Sequence, residues 1–272
     1  MQATGNNSII KRPRLTIRIG QNSLSFAAID SNVENQIIYE PYIIKSGVSI
    51  AANLREALKA ADILSVTWYR ALVLLDSPVI LIPIEEFDEA QKDVIYNHSI
   101  TGQEGAVVLS SVIPMLNCVA LYSISKDLKT VVEDNFGDVC FSHVCIPVWT
   151  HLNRRSYTGS NNKLFCYFHD KKLDVFSFRQ NRFKFSNSFK VKHAHDASYF
   201  ILYVWQQLSF NSKTDELHLV GDFAEREQLV EELREYLKNV YIINPTAEFN
   251  RASITQIKGI PYDIVTLFIK GR

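Results

Sequence analysis

The sequence predicts a mixed α/β protein of two similar halves, and three observations carry that expectation. Residues Leu15 to Asp30 form two alternating apolar runs around a Gly20-Gln21-Asn22-Ser23 turn, the pattern of a β-hairpin. Residues Leu164 to Phe178 repeat the device around a polar turn at His169 to Lys172, and a third strand, Arg182 to Lys190, follows. Each set of three strands then gives way to alternating helical and strand-like segments.

In the first half the third strand is Gln36 to Ile44. A helix follows over Ala51 to Ala61, with Leu54, Leu58 and Ala61 at helical spacing behind Ser49 as its N-cap. Ala71 to Leu75 and Val79 to Pro83 read as a strand pair broken at Asp76-Ser77-Pro78. Glu85 to His98 is an amphipathic helix with its acids in the first turn. Cys118 to Ser123 is a strand, Lys126 to Asn135 a helix stopped by Gly137, and Val139 to Trp149 a long apolar strand. A polar stretch, His151 to Lys163, reads as a linker. In the second half a helix is expected at Ala194 to Leu208, a strand at Leu217 to Val220, a helix at Phe223 to Leu237 and a strand at Val240 to Ile243. The tail Tyr262 to Ile269 reads as a further strand. These boundaries give a flexible N-terminus at 1–13, a first lobe at 14–152 and a second at 153–272.

Composition excludes several classes. At 47% hydrophobic and 21% charged residues, disorder and coiled coil are ruled out. Lys plus Arg and Asp plus Glu both total 29, so nothing attracts nucleic acid at a distance. The N-terminus lacks a signal-peptide apolar region, and no apolar run nears the ~20 residues of a membrane span, which leads to an expected cytoplasmic location with no membrane insertion. The four cysteines, Cys118, Cys140, Cys145 and Cys166, all fall in strand-like segments and are expected to be free and buried.

Three antiparallel strands followed by alternating helices and strands resemble a ribonuclease H-like unit, and two such units in tandem resemble the actin-like ATPase fold. From Leu15 to Phe268 the chain is similar to an uncharacterised bacterial domain family assigned to that fold. The segment Val119 to Trp149, with its helix ending at Asn135-Phe136-Gly137, is similar to part of the actin-like assembly proteins of pilus and secretion machines.

The resemblance implies a place for chemistry: hairpin turns that wrap phosphates through backbone N–H groups, an acid at the end of the first strand for the metal-bound water, and a glycine pair under the adenosine. On these positions the chain has Gly20, Gln21, Asn22 and Ser23 in the first turn, Asp170 and Lys171, with Lys172, in the second, and Gly221 with Asp222 after a late strand. Arg18 stands on the first strand where an acid is required, and the second turn lacks glycine. Asp222 doubles as the N-cap of the next helix. No catalytic residue is assigned. A metal site at Cys140, His143 and Cys145 is not expected, because on a strand Cys140 points away from Cys145. His193, His195 and Asp196 are expected to be helix-terminus residues. A nuclease fails for want of convergent acids.

The expected function is that of a non-catalytic binding or scaffold module, a pseudo-ATPase with a degenerate nucleotide cleft and no cofactor. The alternative is a divergent ATPase using ATP and Mg at Gly20 to Ser23, Asp170, Lys171 and Gly221. Large residues on both faces of the second-half strands suggest an exposed aromatic patch, and hence a protein partner or homodimer.

Overall fold

A computed structural model describes residues 14–30, 36–103, 105–180, 182–223 and 225–270. The expected flexible N-terminus at 1–13 lies outside the described residues. In the first half, β1 (Arg14–Ile19), β2 (Leu24–Ile29) and β3 (Ile37–Tyr42) form the antiparallel meander that the hairpin pattern demands. Helix α1 (Ile50–Ala60) begins at Ser49, whose Oγ accepts from the Ala52 N–H at 3.2 Å. Strand β4 (Arg70–Leu75) then pairs parallel to β1, and β8 (Asp138–His143) parallel to β4, giving a sheet of order β3-β2-β1-β4-β8.

Inserted between β4 and β8 is a small antiparallel sheet of order β5-β7-β6, made of β5 (Ile80–Pro83), β6 (Val107–Ile113) and β7 (Cys118–Ile124). Two expectations are corrected here. Ala71 to Leu75 and Val79 to Pro83 do not pair with each other, because Asp76-Ser77-Pro78 carries the chain from one sheet to another. The helix expected from Glu85 is shorter, two 3-10 turns and then α2 (Lys92–Ser99). Helix α3 (Lys126–Asn135) buries Leu128, Val131 and Val132 as its spacing requires.

The largest correction is α4 (Cys145–Ser156), expected as strand and linker. Val144, Cys145, Val148, Trp149 and Leu152 are all buried, and their spacing is helical; Pro147 sits in the first turn, where its missing N–H costs nothing.

The second half repeats the strand order of the first. β9 (Lys163–His169), β10 (Lys172–Arg179), β11 (Arg182–Lys190), β12 (Glu216–Gly221) and β13 (Asn239–Ile242) pair as β11-β10-β9-β12-β13, with the same antiparallel and parallel senses. Helices α5 (Ala194–Gln207) and α6 (Arg226–Tyr236) pack together on one face, over Leu164, Cys166, Leu173 and Leu219. Asp196 accepts from the His193 backbone N–H at 3.3 Å, so this cluster does cap a helix. Asp222 does not, since α6 starts after Glu225.

After α7 (Pro245–Glu248) comes α8 (Tyr262–Lys270), a helix where the tail was expected as a strand. Its β-branched and aromatic residues read as strand, but packing against α4 decides the matter. Phe165, Tyr167, Phe176 and Phe178 on the other face of the second sheet join α4, α8 and the first sheet in one core. Large residues on both faces of β9 and β10 therefore mean a sheet covered twice, not an exposed patch. Exposed aromatics occur instead on α5 and α6, with Tyr199 at 61%, Tyr203 at 49% and Tyr236 at 62%, and singly elsewhere, as at Tyr69, Tyr157 and Tyr241. Among the described residues no helix is long and apolar enough to cross a membrane.

Candidate functional site

The interface of the two five-stranded sheets is built around charges. Arg18, near the end of β1, is buried, and its Nε donates to Asp263 Oδ1 at 3.1 Å and Oδ2 at 2.8 Å. Its Nη1 reaches Asp170 Oδ2 at 2.8 Å and Ser23 Oγ at 3.0 Å. One guanidinium thus ties β1, the first hairpin turn, the second hairpin turn and the head of α8. Burial opposes the Arg18 charge, yet Asp263, Tyr167 and Asp170 raise its pKa further. Tyr167 donates to Asp263 Oδ2 at 2.8 Å, and burial beside that carboxylate pushes the phenol up.

His169, the last residue of β9, lies stacked on Tyr167 with ring centroids 4.5 Å apart. Its Nε2 donates to Asp174 Oδ2 at 2.5 Å, and its Nδ1 is 3.4 Å from Asp170 Oδ2 and 3.9 Å from Asp76 Oδ2. Burial would lower the pKa of this imidazole, but Asp174, then Asp170 and Asp76, outweigh it and raise it to about 9. Burial likewise works against ionised Asp170 and Asp174, but His169, with Arg18 for the first and Lys172 for the second, holds both well below the usual carboxylate range. Lys172 Nζ meets Asp76 Oδ1 at 2.5 Å. The other oxygen, Asp76 Oδ2, is buried with no hydrogen-bond partner.

Behind this layer, Cys145 at the start of α4 directs Sγ to Asp174 Oδ2 at 3.2 Å. His143 Nδ1 accepts from the Cys145 N–H at 3.2 Å, and its Nε2 lies 2.9 Å from Ser77 O. Burial lowers the His143 pKa to about 4, which fits a neutral ring with Nε2–H donating. Cys140 is exposed, contrary to the expectation of four buried thiols, and does not join His143 and Cys145.

The residues expected from sequence divide between the two sides of this layer. Asp170, Lys171 and Gly221 line a cleft of about 630 Å³ together with Arg18, Arg226 and Tyr262. Gln21 faces a smaller groove of about 290 Å³ beside Lys172, Asp174 and His143. Gly20 and Ser23 close the first turn through a Gly20 N–H to Ser23 O bond of 2.8 Å. A Cβ on Gly20 would lie 2.9 Å from Asp170 Oδ2, so the two hairpin turns touch, and Ser23 is spent on Arg18. The second turn is a two-residue reversal with Asp170 at φ 45° and Lys171 at φ 61°. Gly221, at φ 98°, has an internal reason to be glycine: a Cβ there would meet Phe168 O at 2.1 Å. Asn22 has no assigned contact in this layer. Sequence reasoning missed Asp263, Asp76, Tyr167, Asp174 and the His169 side chain, because only long-range convergence of elements brings them together, and it set Cys145 aside as a ligand on the premise of a strand where α4 begins.

A nucleotide-bound Mg²⁺ fits this donor set poorly. The Asp170 oxygen nearest the first strand is held by Arg18, and Asp76 Oδ1 is held by Lys172. Arg18 and Lys172 each pair with a carboxylate oxygen that such an ion would have to take.

Paired sheets of this order around a central cleft define a protein with the actin-like ATPase fold. The chain belongs to the DUF3822 family, proteins of unknown function, whose model matches residues 2–240. It is similar to a crystal structure from Bacteroides thetaiotaomicron VPI-5482, described as a protein with actin-like ATPase fold and unknown function. The match has 24% identity and a TM-score of 0.79 and covers 94% of this chain and 100% of the other. It also resembles a chain of a PilM–PilN type IV pilus biogenesis complex, at 12% identity and a TM-score of 0.60, covering 95% of this chain and 98% of that one. No curated protein sequence matches significantly.

Proposed function

We propose that this protein is a non-catalytic member of the actin-like fold that works by holding another protein, or a second copy of itself, and does not turn over a nucleotide. The observation that carries the reading is Arg18, a buried guanidinium locked between Asp263 and Asp170 at the end of β1. ATP hydrolysis in this fold needs an acid there to position metal and water, and a permanent cation does the opposite. The two lobes, at 14–152 and 153–272 in this reading, are fastened by the same ion pairs. A second feature supports a binding role: Tyr199, Tyr203 and Tyr236 stand exposed around a groove between α5 and α6 that Glu232 and Glu235 also line. Exposed tyrosines of this kind are favoured contact residues at protein interfaces. The recurrence of the fold in a PilM–PilN complex is in keeping with a protein as the ligand class.

The alternative, a divergent Mg-ATP-binding protein, is favoured by one observation, the cleft of about 630 Å³ that brings Asp170, Lys171 and Gly221 together with Arg226. Sedimentation of the purified chain tests the binding reading. Self-association, or a complex with a co-purified protein, should be lost when Tyr199, Tyr203 and Tyr236 are replaced together by serine. A chain that is monomeric at high concentration and binds Mg-ATP would favour the alternative.

A further inference from the structure

We infer that Cys145, His169 and Asp174 form a buried site for one divalent transition-metal ion of zinc type, lying between the two sheets and separate from any nucleotide. The three donors come from three rigid elements: Cys145 from the first turn of α4, His169 from the end of β9 and Asp174 from β10. Sγ, an imidazole nitrogen and a carboxylate oxygen lie within 4.8 Å of one another, and all three residues are buried. Sulfur, nitrogen and oxygen in one set suit Zn²⁺ or Co²⁺ and not Mg²⁺, which takes oxygen alone.

The distances are near those of a site with three side-chain ligands and one further position. Metal–ligand bonds of about 2.0–2.3 Å in a tetrahedron put donor atoms roughly 3.3–3.8 Å apart. Cys145 Sγ to Asp174 Oδ2 is already 3.2 Å. His169 Nε2 to Asp174 Oδ2 is 2.5 Å and has to open by about 1 Å as the ion replaces the hydrogen between them.

The surroundings supply what a metal-bound imidazole needs on its far side. With Nε2 on the ion, Nδ1 lies 3.4 Å from Asp170 Oδ2, 3.4 Å from Arg18 Nη2 and 3.9 Å from Asp76 Oδ2, and a proton on it turned to the two carboxylates gives the carboxylate–histidine–metal arrangement. Asp76 Oδ2, buried with no hydrogen-bond partner, remains available to a proton on Nδ1 when the imidazole shifts onto the ion. Charge also balances. Arg18 and Lys172 pair with Asp263, Asp170 and Asp76, and they also face His169 and Asp174 respectively. An entering M²⁺ displaces one proton from Cys145 Sγ and one from His169 Nε2, so two positive charges enter and two leave. The fixed N-terminal end of α4 favours the resulting thiolate.

The test uses the full chain, stripped with chelator and titrated with Co²⁺. We expect one Co²⁺ per chain, a thiolate-to-cobalt charge-transfer band, the strong visible absorption of tetrahedral cobalt, and displacement of both by Zn²⁺. Cys145→Ser should abolish the charge-transfer band, His169→Gln should weaken Co²⁺ binding at least tenfold, and Cys140→Ser should change neither. A folded wild-type chain that gives no saturable band overturns the proposal, whatever the variants do. So does a band that survives in Cys145→Ser and disappears in Cys140→Ser, which marks the exposed thiol as an adventitious ligand.

Discussion

Arg18 and Asp263 are 245 residues apart and meet as a buried ion pair in which one Nε–H is shared between both carboxylate oxygens, at 3.1 and 2.8 Å. The pair ties the first strand of the chain to its last helix. Removing one partner strands a charge where water cannot reach it, and that cost exceeds the pair's own net value. Arg18→Met should therefore lower stability by about 3–5 kcal/mol in urea unfolding, and Arg18→Met combined with Asp263→Leu should recover only part of it, because Asp170 and the buried Tyr167 hydroxyl still lose a partner. A single variant that loses under about 1 kcal/mol would show the pair to be open to solvent.

Gly221 gives a second test of geometry. Alanine there meets both a left-handed φ of 98° and a Cβ placed 2.1 Å from Phe168 O. Strain and overpacking together should cost about 2–4 kcal/mol. Gly47→Ala, at φ 77° with open space around its Cβ, should cost about 1 kcal/mol, from strain alone. Equal losses at the two sites in denaturant titrations would contradict the close approach of β12 to Phe168.

Thiol reactivity should divide the cysteines one against three. Cys140 is exposed and should react with a thiol reagent at the rate of a free thiol, whereas Cys118, Cys145 and Cys166 are buried, with pKa values pushed up by burial, and should react only on unfolding. A count of four fast thiols in the native chain, or none, fails this expectation.

Of the buried histidines, His169 and His143 titrate in opposite senses, and burial shifts His218 in the same direction as His143. His169 has its pKa raised to about 9 in the folded chain, so its contribution is complete below its unfolded pKa near 6.5 and fades as pH rises toward 9. His143 has its pKa lowered to about 4, so its contribution is complete above pH ~6.5 and fades as pH falls toward 4. For chelator-treated protein the melting temperature should fall between pH ~6.5 and 8, and His169→Gln should flatten that limb. An unchanged slope in the variant would exclude His169 as its source.

Much of the fold was legible because alternation and turn chemistry are local. The two hairpins, Ser49 as a cap and the whole of β11 follow from residues within a few positions of one another. The segments misread share one cause. The first part of Val139 to Trp149 is strand as read, in β8, but Cys145 to Trp149 and Tyr262 to Ile269 are apolar stretches in which only the packing of α4 on α8 selects helix over strand. β6 went unread because its Ser110-Ser111 pair interrupts the apolar run. At the site, Arg18 was visible as a cation in an acid's place. Its partner Asp263 lies in the misread tail, so the ion pair had no local signature.

In the proposed reading, cations of the chain itself, Arg18 and Lys172, hold carboxylate oxygens that a nucleotide-bound metal would need. Calorimetric titration with Mg-ATP tests it most directly, with thermal melting as its counterpart. No measurable heat of binding and no rise in melting temperature are expected, since Arg18 and Lys172 already pair with Asp170 and Asp76. A dissociation constant in the low micromolar range, about −8 kcal/mol of binding, would contradict it and establish a working nucleotide cleft.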